Sequence, residues 1–153
     1  MGGAAVALLA ASAAFAVSPA SAGDDGAGLL LRSGVAGSTP PAAGGPALFT
    51  VNPGGRPWVA GSESKVVVTR DGLLVAKVRG LVIPGNAVPN PVPALAASLV
   101  CNGKDGALTV AVPFDTAGDA DIRATVDVPQ PCVAPVVLLH PNGAAGTYIA
   151  ATG

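Results

Sequence analysis

The side chains in this sequence able to do chemistry are few: Cys101 and Cys132, the single histidine His140, a trio of aspartates (Asp115, Asp119 and Asp121), and Trp58 beside Arg56. The two cysteines lie too far apart for a redox C-x-x-C motif, and one histidine cannot complete a typical zinc or copper ligand set with them. An even pair in a small domain reads as a disulfide if the compartment is oxidising. Closing a loop of roughly 32 residues would stabilise the fold by about 3–4 kcal/mol in the chain-entropy account. His140 has the only side chain whose ordinary pKa lies near neutrality. It ends an apolar run just before Pro141-Asn142-Gly143, and no Gly-x-Ser-x-Gly elbow accompanies it. It is therefore expected to be a structural residue at a loop edge, and no catalytic residue is assigned.

The stretch Asp115-Thr-Ala-Gly-Asp119-Ala-Asp121 is the best acidic cluster. Calcium takes six to eight oxygen ligands from a chain that wraps around it, so these carboxylates are weak candidate metal ligands. Their spacing is not that of an EF-hand loop, no bidentate Glu follows, and a solvated turn into an edge strand is the expectation. No aromatic platform stands beside them for a sugar ring, which argues against glycoside hydrolysis. Trp58, in Gly54-Gly-Arg-Pro-Trp58, marks with Arg56 a possible binding surface where a sugar or a partner side chain would stack. The competing expectation is that it caps the core. No cofactor is expected.

These residues are carried by a chain whose start reads as an export signal. Ala4 to Val17 is apolar and small but for Ser12; Ser18-Pro19 ends the run, and Ala20-Ser-Ala22 offers the small residues a signal peptidase reads. Met1-Gly2-Gly3 lacks the usual positive charge. The run is shorter than the ~20 residues that span a bilayer, so no transmembrane anchor is expected after cleavage. The expected division is a signal peptide over residues 1–22, a flexible Gly/Ala/Pro-rich leader over 23–47 with a candidate short strand at Leu29-Leu-Leu31 near its start, and one folded domain over 48–153. Net charge is −1, from 8 basic and 9 acidic residues. With no basic run in the sequence, nucleic acid and anionic membranes find no evident electrostatic handle.

From Leu48 onward short apolar runs alternate with turn residues. Lys65–Arg70 and Leu73–Val78 flank Asp71-Gly72, the signature of a two-residue hairpin turn, which would place Val67 opposite Ala76 and Val68 opposite Val75. Val67, Thr69, Leu74, Ala76 and Val78 would then face the core. Residues 84–93 hold four prolines and cannot be helical. Further strands are expected at 95–101, 107–112, 122–128, 133–140 and 146–151. Seven to nine short strands without a helix predict an all-β fold, a single antiparallel β-sandwich of immunoglobulin-like size with one disulfide.

The segments Pro53-Gly-Gly-Arg-Pro-Trp-Val59, Val78-Arg-Gly-Leu-Val-Ile-Pro84, Ser98-Leu-Val-Cys-Asn-Gly103 and Tyr148-Ile-Ala-Ala-Thr-Gly153 resemble a group of uncharacterised exported actinobacterial proteins. The resemblance covers about 48–153, implies export and the Cys101–Cys132 pair, and brings no activity. The function expected is that of a secreted or envelope-associated, non-enzymatic domain with a structural, adhesive or partner-binding role toward an extracellular protein or cell-envelope component. A weak carbohydrate- or calcium-binding module is the alternative, and a hydrolase with a non-obvious site ranks last.

Overall fold

The computed structural model describes residues 28–153, so the expected signal peptide over 1–22 lies outside the described residues. Eleven strands are present among them: β1 Leu29–Gly37, β2 Asn52–Pro53, β3 Lys65–Thr69, β4 Leu73–Val78, β5 Ala94–Cys101, β6 Lys104–Asp105, β7 Val112–Pro113, β8 Ala120–Thr125, β9 Val136–Pro141, β10 Thr147–Tyr148 and β11 Ala150–Thr152. A 3-10 turn at Pro41–Ala43 is the one helical element described.

The fold is all-β, as expected, but its sheets are not two separate layers. Nine strands form one continuous sheet in the order β6-β5-β9-β11-β1-β3-β4-β8, with β7 added to β5; β2 and β10 make a small parallel pair. The large sheet curls into a half-barrel, its two halves facing each other across a core. Val66, Val68, Leu74, Ala76, Val78 and Ile122 enter that core from the β3–β4–β8 side. Leu95, Ala97, Leu99, Val137, Leu139 and Ala150 enter it from the β5–β9–β11 side.

The strand that joins the halves comes from the expected leader. Arg32 to Gly34 pair with β3, and Val35 to Gly37 pair with β11, so β1 passes from one half to the other. Residues 29–37 are thus a central strand and not a flexible linker, and the domain starts at least as early as Leu29. Gly34, Ser33 and Gly37 gave this segment a linker-like composition, yet one is required here. A Cβ on Gly37 would stand 2.0 Å from the Trp58 carbonyl oxygen, closer than atoms can approach.

The β3–β4 hairpin is real, with a register one residue away from expectation. Val66 pairs with Ala76, Val67 with Val75 and Val68 with Leu74. The connection is therefore the three residues Arg70-Asp71-Gly72, with Gly72 at φ 95° and the Leu73 N–H donating to Thr69 Oγ1 at 3.0 Å. A one-residue slip exchanges the faces of a strand. Val66 and Val68 are fully buried, while Val67 and Thr69 are half-buried on the outer side. Placing two valines inside, and the threonine hydroxyl where it caps the turn, avoids burying a polar group.

β5 is buried on both faces, which suits an interior strand. Its odd-numbered residues meet the main core. Val100, on the other face, joins Val51, Leu138, Tyr148 and Ala151 in a smaller cluster beneath the 40s loop, where Tyr148 Oη donates to the Pro46 carbonyl at 2.8 Å.

Candidate functional site

Cys101, at the end of β5, and Cys132, in the crossing from β8 to β9, form the expected disulfide, with Cα atoms 5.0 Å apart. Asn102 sits next to it and braces the same crossing. Its Nδ2 donates to the Pro131 carbonyl at 2.9 Å and its Oδ1 accepts the Val133 N–H at 2.9 Å.

Trp58 does not offer a stacking surface. The residue is 6% exposed and its ring stacks on Phe114, centroids 6.4 Å apart and planes 27° apart. A core with so few aromatics places its largest side chain where it removes most apolar area from water. Arg56 remains exposed and donates through Nη2 to Asn86 Oδ1 at 3.3 Å. That bond ties the Trp58 turn to the proline-rich loop.

The three aspartates are brought close together but do not converge on one point. Asp115 Oδ1 accepts the Asp119 N–H at 2.9 Å, closing its own turn. Asp119 Oδ1 accepts the Gly80 N–H at 2.8 Å. Both oxygens of Asp121 accept from Arg79 Nη2, at 2.8 and 3.0 Å. Each carboxylate is thus committed to a different donor, and no group of three or more metal-ligating side chains able to hold an ion occurs among the described residues. Asp115 and Asp119 thus hold backbone N–H groups of the loops, and Asp121, within β8, holds Arg79.

The geometry does unite the loops themselves. Buried Asn90 donates from Nδ2 to the carbonyls of Val92 at 2.8 Å and Asp115 at 2.7 Å, and its N–H donates to the Thr116 carbonyl at 3.1 Å. The Leu81 N–H donates to the Gly118 carbonyl at 2.9 Å. Gly118 is confined there: φ is 85°, and a Cβ would stand 2.4 Å from the Leu81 oxygen. So the Gly54–Trp58 turn, the Pro84–Pro93 loop and the Asp115–Asp121 turn form one continuous end of the molecule, floored by the Trp58–Phe114 stack. A hollow of about 560 Å³ opens there between Val88, Pro91, Val92, Pro93, Phe114 and Thr116.

His140 is fully buried and belongs to a constellation that sequence spacing did not signal. Its Nδ1 faces the carbonyls of Thr147 at 2.9 Å and Ala144 at 3.2 Å. Carbonyls only accept, so Nδ1 carries the proton. Nε2 faces Ser98 Oγ at 2.8 Å, and Ser98 Oγ also donates to Asp105 Oδ1. Burial lowers the His140 pKa, while the Asp105 charge and the two carbonyls oppose that shift. Ser98 lies between the acid and the histidine and is itself fully buried, so its hydroxyl is not placed to attack a substrate. Cross-strand pairing of Ala96 with His140 and of Ser98 with Leu138 creates the cluster; no local motif encodes it.

Compared with known proteins, the chain matches no family model, no curated protein and no solved structure.

Proposed function

We propose that this protein is an exported, non-enzymatic, disulfide-stapled β domain that works by presenting its loop end to an extracellular protein partner. The carrying observation is the three-loop end, in which Asn90 locks the proline-rich loop to the Asp115 turn and leaves Val88 44% exposed. Prolines and buried hydrogen bonds set such a surface before binding, so little conformational entropy is lost when a partner docks. Exposed apolar side chains on a braced loop are the kind of contact that binding surfaces use. The Cys101–Cys132 bridge supports an oxidising compartment, as does the Ala-rich head of the sequence. A carbohydrate- or calcium-binding role through Trp58 or the Asp115–Asp121 cluster is disfavoured, because those side chains are already engaged within the fold.

The test has two parts. Protein recovered from culture medium is weighed intact with and without reduction, and a photo-crosslinking residue replaces Val88 in the producing cells. A mature chain two hydrogens light, with one discrete extracellular adduct, supports the proposal. A chain kept inside the cell with both thiols free, or a crosslinker that yields no discrete adduct, overturns it.

A further inference from the structure

We propose that the outer face of the β1–β3–β4–β8 half-sheet binds a linear anionic polysaccharide. The cations that make this face are scattered through the sequence, at 32, 65, 77 and 123, and only the strand registers assemble them. One row across the sheet runs Arg32, Val67, Val75, Arg123; the next runs Gly34, Lys65, Lys77, Asp121. Four of the chain's eight basic residues therefore share one face.

Its electrostatics are unbalanced. Lys65 and Lys77 stand directly opposite each other, and like charges so placed on adjacent strands destabilise a sheet. The carboxylate next in that row, Asp121, has both oxygens held by Arg79. Arg79–Asp121 is the one ion pair among the described residues, so Arg32, Lys65, Lys77 and Arg123 have no acidic partner there. Exposed Glu63, two residues before Lys65, makes no ion pair with them. A surface that carries an unrelieved like-charge pair is complementary to a polyanion.

The occupant follows from what else the face offers. Gly34 has no side chain, and beside it lies a hollow of about 480 Å³ lined by Arg32, Ser62, Ser64 and Lys65, room for one anionic sugar unit between two cations. Neighbouring strands are spaced by ~4.8 Å, so Lys65 and Lys77 stand one spacing apart, while Arg32 and Arg123 close the two ends of the next row; an extended polyanion laid across the strands would meet all four. No aromatic side chain lies in either row, which leaves nucleic-acid bases nothing to stack on. Val67 and Val75 are half-buried between the cations and do not project, so neither would insert into a lipid surface.

The proposal rests on the reading of an exported binding domain only for where the polymer is met; binding by purified protein is independent of it. The probes are polygalacturonate, neutral dextran, phosphatidylserine vesicles and a thymidine oligonucleotide, each titrated into the oxidised protein at low and high salt. Polygalacturonate should bind, weaken as salt rises, and lose about tenfold or more in affinity with Lys65→Glu. Lys65→Arg should bind as the parent does. Lys65→Glu replaces the like-charge pair with an opposite-charge one, so its melting temperature should rise while its binding falls, a split that a purely structural lysine does not give. Absent polygalacturonate binding, equal binding of dextran, tighter binding of vesicles or oligonucleotide, or a Lys65→Glu protein that binds normally each overturns the proposal.

Discussion

Trp58 stacks on Phe114, and through that contact the turn before β3 and the turn before β8 share one floor. Both rings belong to the main core, next to Leu81 and Ile83. The arrangement explains why three loops far apart in sequence end on a common surface: each must close over the same pair of rings.

Trp58→Ala is expected to destabilise the domain by about 3–5 kcal/mol, the usual cost of emptying a large core site. Trp58 is the only tryptophan, so fluorescence reports directly on this packing. Emission should be blue-shifted and poorly quenched by acrylamide in the folded protein, and should move to the red on unfolding. Red, readily quenched emission from the folded protein would show that the ring is in water.

The Cys101–Cys132 bridge closes a loop with a sequence separation of 31. Reduction, or a Cys101→Ser/Cys132→Ser double variant, should lower stability by about 2–4 kcal/mol. Denaturant titrations with and without reductant measure this. Equal midpoints would mean that the crossing from β8 to β9 is held without the bridge.

His140 gives the stability a pH dependence whose sign can be worked out. Its folded-state pKa is lowered by burial from the ordinary 6.5. Unfolding therefore takes up a proton as pH falls below about 6.5. The melting temperature should be level just above neutrality, fall as the pH drops through that value, and level again below the folded-state pKa. The Asp105 charge, relayed by Ser98, moderates the loss. His140→Gln should be less stable at neutral pH and should lack this His-linked fall in the mildly acid range. A fall of equal size in the variant would assign it to other groups.

Truncation should separate a leader from a strand. A chain that starts at Gly28 is expected to fold with the parent's melting behaviour. A chain that starts at Ala47 lacks β1, exposes the facing edges of β3 and β11, and should fail to give a cooperative transition. Thermal melts by circular dichroism decide it; cooperative melting of the shorter chain would show that the two half-sheets can stand without their joint.

Local signals carried much of the architecture. Gly, Pro and Asn punctuation and two-residue alternation marked β4, β5, β8 and β9 near their true positions, since turn chemistry and pleat periodicity act over a few residues. Two cysteines allow only one pairing, so the disulfide also followed from composition. Only the start of β1, Leu29 to Leu31, was marked as a strand; the rest escaped notice because Ser33, Gly34 and Gly37 carry little β preference of their own, and its stability comes from backbone hydrogen bonds to partners far along the chain.

What the sequence determined by itself is therefore an all-β chain, the main turns and the covalent staple, because each rests on nearby residues or on simple counting. Register, curl and the gathering of side chains were left to the tertiary structure. The hairpin shifted by one residue since burying Val66 and Val68 is favoured over burying Thr69, a comparison made only against the opposite half-sheet. The same long-range pairing set Ser98 and Asp105 beside His140, turned Trp58 inward, and aligned four scattered cations on one face. Such groupings depend on which strands lie side by side, and that is decided by the free energy of the whole sheet.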